Sequence, residues 1–396
     1  MKAYLPTLTP LRGVAAVLVV LFHSQVFIYP VVDRRVTLLV EKGWLWVDFF
    51  FVLSGFILCY VYGEGFRKRV TKAGYSQYLR ARFARVYPLH FFTLFWALGA
   101  GALILSQPIA HPDWSRFFHF IFDVHTVPAS LVLLQAMHLF PTSPLNTVSW
   151  SLSTEWWMYM LFPFLAPLLW RVPQGGENGR SGRVRSGLWL LVVVGLYAGV
   201  KYFLVPKFGM HAWKRQDATL NTINDFAFVR CMAGFLLGML VCRWYQLSLA
   251  QRWLQRNASF GIIGLALLIS LHFEANELIT VAIFPLLILA AVYNRSAVSR
   301  WLATSPMQRL GDWSFSIYMV HMPVFFTYRG VAPFLGLPVP EGFFTQAPNY
   351  WKGWIAFALF LAATLGFSAL CYRYLEVPAR NFLNRGRVKV TRYAAP

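Results

Sequence analysis

The sequence has few charged residues and very few acidic ones. Asp, Glu, Lys and Arg make up 13% of its 396 residues, and only 15 residues are acidic. The four cysteines lie in or beside apolar runs without the spacing of metal ligands, so we expect neither a metal site nor a disulfide framework. What the chain has in excess is apolar: 58% of its residues are hydrophobic, with 16 Trp and 36 Phe. This composition is typical of a protein that crosses a membrane several times.

Apolar runs long enough for membrane helices occur ten times. We therefore predict an all-α polytopic membrane protein with about ten transmembrane helices. Residues 115–140 are also apolar, but His, Asp and Pro residues interrupt them, so we predict one re-entrant or interfacial segment there. The ten runs are 11–30, 44–62, 86–106, 148–170, 188–205, 226–246, 258–273, 277–293, 312–330 and 353–375.

The basic residues predict the orientation. With both termini in the cytoplasm, 25 Lys and Arg fall in inner segments and 9 in outer loops, as the positive-inside rule requires. Most of the net charge of +21 then reflects topology, in part facing anionic membrane lipids, and it argues against a nucleic-acid partner. The first apolar segment lacks a clear cleavage site, so we expect it to be retained. No internal repeat typical of many secondary transporters is visible.

Two ionisable residues lie within the first apolar segment. Arg12 and His23 are eleven residues apart, which places them on one face of a helix with His23 about 16 Å deeper. Ionisable side chains at membrane depth are costly and usually mark a functional site. The imidazole could act as a base or as a transient acyl acceptor. The alternative is a histidine that only packs inside the bundle.

An arginine pair lies at the predicted inner boundary of the third run. Arg82 and Arg85 share a helix face, Arg80 lies close by, and Tyr87 follows within the same stretch. Guanidinium groups match phosphate oxygens well, so these four residues are candidates for binding a nucleotide-bearing cytosolic donor. The alternative is a topogenic cluster that binds lipid phosphate.

The predicted depths suggest a partner for His23. Glu155 lies about 10 Å below the outer end of its run, where we expect it to reach His23 and orient the imidazole. The alternative is a structural ion pair with Arg230 or Lys201.

Three other ionisable residues are interpreted as structural. Asp48 is expected to cap or brace the second run, next to the small pair Ser54–Gly55 that permits close helix packing. For Arg230 we predict an ion pair with Asp225, which is close in sequence.

Polar residues also share one face of the ninth run. Ser314, Tyr318 and His321 follow at spacings of four and three. They could line the thioester end of a donor path or stabilise an oxyanion, and a polar packing cluster is an equal alternative.

Together these blocks resemble the acyltransferase-3 family of membrane O-acyltransferases. The resemblance covers about 5–383, and we treat 1–383 as the acyltransferase-3 transmembrane domain and 384–396 as a basic cytoplasmic tail. A Gly-rich linker is expected from Pro173 to Gly182. The blocks are Arg12 with His23, Gly43–Phe56, Arg82 with Arg85, Trp150–Trp156, Ser314–Pro323 and Tyr374–Arg380.

This resemblance implies transfer of an acyl group, usually acetyl from cytosolic acetyl-CoA, to a hydroxyl of an extracytoplasmic glycan or glycolipid. It makes His23 the essential histidine, Arg12 its motif partner, and Arg82 and Arg85 ligands of the CoA phosphates. A bacterial inner membrane is expected. Since no esterase-like domain follows, the acyl group would go directly to the acceptor or to a separate extracytoplasmic transferase.

Two other functions are open at this point. A proton-coupled or solute transporter could use Arg12, His23, Glu155 and His321 as a polar pathway, although the absence of visible repeats disfavours it. A binding or scaffolding membrane protein is the third hypothesis.

Overall fold

The computed structural model describes residues 5–109, 111–140, 144–170, 180–208, 219–339 and 349–384. Within these ranges all regular elements are helices, which confirms the all-α class. The helices are α1 (Leu8–Phe27), α2 (Trp46–Phe66), α3 (Lys72–Leu105), α4 (Pro112–Ile121), α5 (Val127–Leu131), α6 (Ser149–Trp170), α7 (Arg180–Gly199), α8 (Val205–Phe208), α9 (Ala227–Gln246), α10 (Gln251–Leu254), α11 (Asn257–His272), α12 (Glu277–Tyr293), α13 (Ala297–Leu302), α14 (Ser305–Asp312), α15 (Ser314–Val331), α16 (Tyr350–Cys371) and α17 (Val377–Leu383).

A helix lies on each of the ten predicted apolar runs. A helix satisfies its own backbone hydrogen bonds, which is why an apolar run inside lipid adopts this structure. Six helical segments among the described residues are long and apolar enough to cross a membrane, while α11 and α12 are apolar but shorter. A multi-pass membrane protein is thus confirmed, whereas the number of ten spans and the orientation stay predictions. The six are Leu8–Phe27, Glu41–Phe66, Lys72–Leu105, Val184–Phe208, Ala227–Gln246 and Tyr350–Leu383.

Two predictions on organisation fall largely outside the described residues. Of the predicted linker 173–182, residues 173–179 are not described, and α7 already begins at Arg180. The tail predicted for 384–396 is described only at Asn384. The boundary of the predicted domain at 383 therefore stays a prediction.

The interrupted segment after α5 enters the interior of the bundle. The carbonyl of Leu133 accepts hydrogen bonds from the Ser153 hydroxyl (2.6 Å) and the Trp157 indole (2.9 Å), both beyond the first turn of α6. On the α3 side, the His90 ring bonds the carbonyl of Ser130 at 2.8 Å. Because the chain is already inside the bundle before α6 begins, the first residue of α6 lies further from the predicted outer surface than its apolar run suggests.

Glycines bring α2 and α9 into close contact. A Cβ on Gly55 would lie 2.0 Å from the carbonyl oxygen of Phe235, and one on Gly238 would lie 1.9 Å from that of Val52. Small residues let membrane helices approach this closely. The close packing predicted at the Ser54–Gly55 pair is therefore found at Gly55, and α2 forms one wall of the site described below.

Replacement of Gly238 by leucine is expected to separate α2 from α9. Overpacking of this kind costs roughly 1–3 kcal/mol or more, so the thermal unfolding temperature in detergent should fall. Gly264 on α11 is the control, because a Cβ there meets no atom within 4 Å. An equal shift for Gly238→Leu and Gly264→Leu would contradict the packing role.

Candidate active site

A cavity of about 140 Å³ lies between α1, α2, α3, α6 and α15. Its walls combine aromatic and aliphatic side chains with a concentrated set of polar ones. This is the composition of a ligand site, in which a few polar groups fix the orientation of the ligand. The polar residues that line it are Arg12, Ser54, Arg82, Arg85, Ser151, Glu155, Tyr159, Ser314 and Tyr318.

Two of the cavity arginines are held by neighbouring side chains. Arg82 donates a hydrogen bond of 3.1 Å to the Tyr62 hydroxyl, and its guanidinium carbon lies 5.3 Å from the centre of that ring. Arg85 donates to Glu376 at 2.6 Å, a carboxylate that is 3% exposed and also accepts a hydrogen bond from Ser316. Each contact uses only part of a guanidinium group, which has five N–H donors.

The third arginine has no such partner. Arg12 forms no hydrogen bond or ion pair with the described residues. Glu155 and Glu376 are close enough to attract it electrostatically, and Arg85 is close enough to repel it. Three cations therefore converge around one cavity, and the Nε of Arg82 is buried without a partner. This arrangement favours an anionic ligand.

The other two predicted donor-binding residues lie elsewhere. Arg80 is exposed on α3 and does not line the cavity. Tyr87 is buried, with its ring centre 4.4 Å from that of Phe83 and 4.9 Å from that of Trp156, so it packs α3 against α6. Arg80 and Tyr87 therefore do not share the cavity with Arg82 and Arg85, because only every third or fourth residue of α3 faces it.

Glu155 does not reach His23 as predicted. It accepts a hydrogen bond from the Ser54 hydroxyl, and Tyr159 lies close by in the same cavity. The reason is the deep start of α6: Ser151, near its first residue, is 2.7 Å from the Tyr318 hydroxyl, and Glu155 lies about 6 Å further along the helix. The carboxylate of Glu155 is thus at the level of Arg12 and lines the cavity.

His23 is paired with a second histidine. The Nδ1 of His23 is 3.2 Å from the Nε2 of His321 and 3.0 Å from the carbonyl oxygen of Val19, one turn earlier. The ring centres of the two histidines are 4.9 Å apart. His321 is fully buried, whereas His23 is half-buried.

Tyr318 separates this histidine pair from the cavity. Its ring lines the cavity and meets the His321 ring edge-to-face, with centres 6.0 Å apart. Its hydroxyl donates to the carbonyl of Val148 at 3.1 Å. The face predicted for Ser314, Tyr318 and His321 is therefore divided: Ser314 and Tyr318 line the cavity, and His321 contacts His23.

The predicted ion pair between Arg230 and Asp225 is wrong. Arg230 binds Asp48 instead, through Nε (3.0 Å) and Nη2 (2.5 Å), and its guanidinium carbon lies 5.0 Å from the ring centre of Trp44. Asp225 lies before the first residue of α9, and Phe226 with a φ of 58° turns the chain there. The carboxylate of Asp225 consequently faces His138, 3.6 Å away.

The buried pair supports the structural role predicted for Asp48. Both side chains are at most 1% exposed, and they connect α2 to α9. Lys201 is bound by Glu277 at 2.6 Å. Neither basic residue is therefore the partner of Glu155.

Comparison with known proteins defines the class of protein. The family model described as an acyltransferase domain matches residues 8–373. This chain belongs to that family, the acyltransferase-3 family, and its membrane-embedded fold agrees with it. No solved structure matches the chain.

Three relatives represent the curated proteins that it resembles. Acyltransferase MdmB of Streptomyces mycarofaciens is 28% identical over 408 residues, which cover 98% of this chain and 94% of that protein. Protein 2 in the picA locus of Rhizobium radiobacter is 33% identical over 156 residues, covering 37% of this chain and 73% of that protein. O-acetyltransferase OatA of Staphylococcus aureus is 21% identical over 387 residues, covering 95% of this chain but 57% of that protein. These relatives support an acyltransferase and do not favour a transporter.

Proposed function

We propose that the protein transfers an acyl group, most simply acetyl, from cytosolic acyl-CoA to a hydroxyl of an extracytoplasmic glycan or glycolipid. The observation that carries this proposal is the arginine-lined cavity, one wall of which is Tyr318, a residue in contact with the His321–His23 pair. The name of the relative OatA, an O-acetyltransferase, supports acetyl as the group transferred.

In this proposal the donor is bound by its phosphates. Arg12, Arg82 and Arg85 bind the phosphate groups of CoA with N–H donors that other side chains do not use. The cavity of about 140 Å³ is smaller than sites for whole drug-sized ligands, which run from roughly 300 to 1,000 Å³. We therefore place only the narrow pantetheine arm and the thioester inside, with the nucleotide at the inner rim.

The distance between the arginines and His23 suits such an arm. Arg12 and His23 both lie on α1, and their separation of eleven residues corresponds to a rise of about 16 Å. An extended pantetheine arm has a comparable length, so its thioester would arrive near Tyr318 and the two histidines. Movement of the Tyr318 ring would then complete the path.

The transfer itself needs a base. The Nε2 of His23 takes the proton of the acceptor hydroxyl as its oxygen attacks the thioester carbon. The C–S bond then breaks, and the imidazolium returns the proton to the departing sulfur, so that the products are the ester and CoA thiol. No proton is gained or lost overall.

The membrane location follows from the same scheme. A cytosolic donor and the positive-inside rule both support an orientation in which the arginine end of the cavity is at the cytoplasmic surface. Since the relatives come from bacteria, we propose the bacterial cytoplasmic membrane, with the acceptor reached from the outer side.

Isotope-labelled acetyl-CoA tests this function. Cells with the active protein should carry O-acetyl esters on surface glycans that cells without it lack. Purified protein should transfer the label from acetyl-CoA onto a glycan fraction taken from the cells without it. Mass spectrometry of the glycans detects both results. Unlabelled acceptor hydroxyls in both experiments would contradict the proposal.

Replacement of Arg82 by glutamine is expected to weaken donor binding. Hydrogen bonds to charged groups are worth roughly 1.5–3 kcal/mol, so KM for acetyl-CoA should rise roughly 10- to 150-fold with a smaller effect on kcat. Arg80→Gln is the matched control, because Arg80 is exposed two residues away and outside the cavity. Equal KM values for Arg82→Gln and Arg80→Gln would contradict the phosphate site.

A further inference from the structure

The two histidines are held in the same way, each by its own helix. The Nδ1 of His23 is 3.0 Å from the carbonyl of Val19, and the Nδ1 of His321 is 3.1 Å from the carbonyl of Ile317. A carbonyl oxygen only accepts hydrogen bonds. In the neutral pair, the proton of each imidazole is therefore on Nδ1.

This proton arrangement determines the direction of the bond between the rings. With its proton on Nδ1, His321 presents a lone pair at Nε2, 3.2 Å from the Nδ1 of His23. The N–H of His23 is thus shared between the Val19 carbonyl and the His321 nitrogen. Nε2 of His23 then carries the lone pair and has no hydrogen-bond partner among the described residues.

We infer that His321 is a positioning residue that holds His23 in the tautomer required for catalysis and stabilises its charged form. This inference deepens the proposed function and depends on it. It assigns to a neutral imidazole the task that a carboxylate performs in the serine-protease triad. Glu155, the carboxylate expected for that task, is bound to Ser54 instead.

The same bond becomes stronger during transfer. When Nε2 of His23 accepts the proton of the acceptor hydroxyl, Nδ1–H becomes part of an imidazolium, and its hydrogen bond to His321 becomes charge-assisted. His321 is fully buried, so water does not replace it as the acceptor. Its main effect is therefore expected on kcat rather than on donor binding.

Two replacements of His321 test this inference, one without a hydrogen-bond acceptor and one with an acceptor near the position of Nε2. His321→Leu removes the acceptor, and kcat for transfer of labelled acetyl from acetyl-CoA to the surface-glycan fraction should fall roughly 10- to 150-fold, with KM for acetyl-CoA within about twofold. His321→Gln can place its amide oxygen near the position of Nε2, so kcat should recover to within roughly tenfold of the wild type. His119→Leu is the control and should leave kcat unchanged, since His119 is exposed and bonds only the carbonyl of Ser115 in its own helix.

A spectroscopic measurement covers the case in which His321→Leu does not fold. With ring-15N-labelled histidine, the signals lost in His23→Gln identify His23, and they should report a proton on Nδ1 in the wild type and in His321→Gln. Wild-type kcat in His321→Leu, or a His23 proton on Nε2 in the wild type, would overturn the inference. A wild-type protein that transfers no label would instead overturn the proposed function.

Discussion

His23→Ala is expected to abolish acyl transfer while the protein still folds. General acid–base catalysis contributes roughly 10²- to 10⁴-fold, so kcat should fall by at least two orders of magnitude. The ring of His23 is half-buried and packs beside Phe22 and Phe27, with ring centres 4.9 and 5.9 Å away. Its loss should therefore cost little stability, and donor binding at the arginines about 16 Å away should persist.

The measurement is initial-rate transfer of labelled acetyl by purified variants of matched thermal stability. His119→Ala is the control, because His119 is exposed and bonds only the Ser115 carbonyl of its own helix, at 2.8 Å. Transfer at the wild-type rate by His23→Ala would refute the catalytic role of His23.

Breaking the Asp48–Arg230 pair is expected to have the largest effect on stability. Removal of one partner leaves the other charge buried and unpaired, which costs about 3–5 kcal/mol. Asp48→Asn should therefore lower the unfolding free energy strongly and uncouple α2 from α9. Because α2 carries Ser54 and Phe50 in the cavity wall, donor binding should weaken as well.

A double replacement separates charge from packing. Asp48→Leu together with Arg230→Met removes both charges, so it should restore most of the stability that either single change loses. The surface pair Asp33–Arg35, at 2.7 Å, is the control, and its loss should destabilise the protein far less because solvent screens an ion pair at the surface. The structural account fails if Asp48→Asn is no more destabilising than Asp33→Asn.

Much of the fold could be predicted because a membrane helix is a local structure. Apolar runs with internally satisfied backbones locate most helix ends to within a few residues; the largest differences are at the N-terminal ends of α3 and α7, which begin well before their apolar runs. The helical repeat correctly places Arg82 and Arg85 in one cavity. Arg12 joins them there because it also lies near the predicted inner end of its helix.

The pairings across helices could not be derived from one helix at a time. Arg230 is close in sequence to Asp225, but Phe226 turns the chain between them. The partner of Arg230 is therefore Asp48 on α2. The usable signal was depth: Asp48 and Arg230 each lie about 6 Å from the outer ends of their predicted runs.

The same signal applies to the histidines. His23 and His321 are both predicted near mid-depth, and the structure pairs them. Glu155 was misplaced because α6 starts beside Tyr318, inside the bundle. That depth depends on the path of residues 130–133, whose carbonyls bond side chains of α3 and α6, and not on their own periodicity.

Sidedness of transfer in sealed vesicles tests the central claim most directly. The purified protein would be reconstituted in one orientation, with labelled acetyl-CoA on the side of Arg82 and Arg85 and the surface-glycan fraction on the other. The account predicts acetylated glycan on the far side and CoA thiol released on the near side, with no acetyl-CoA crossing. Acetylation only when donor and glycan share one side would contradict a thioester that reaches His23 from the arginine-lined rim.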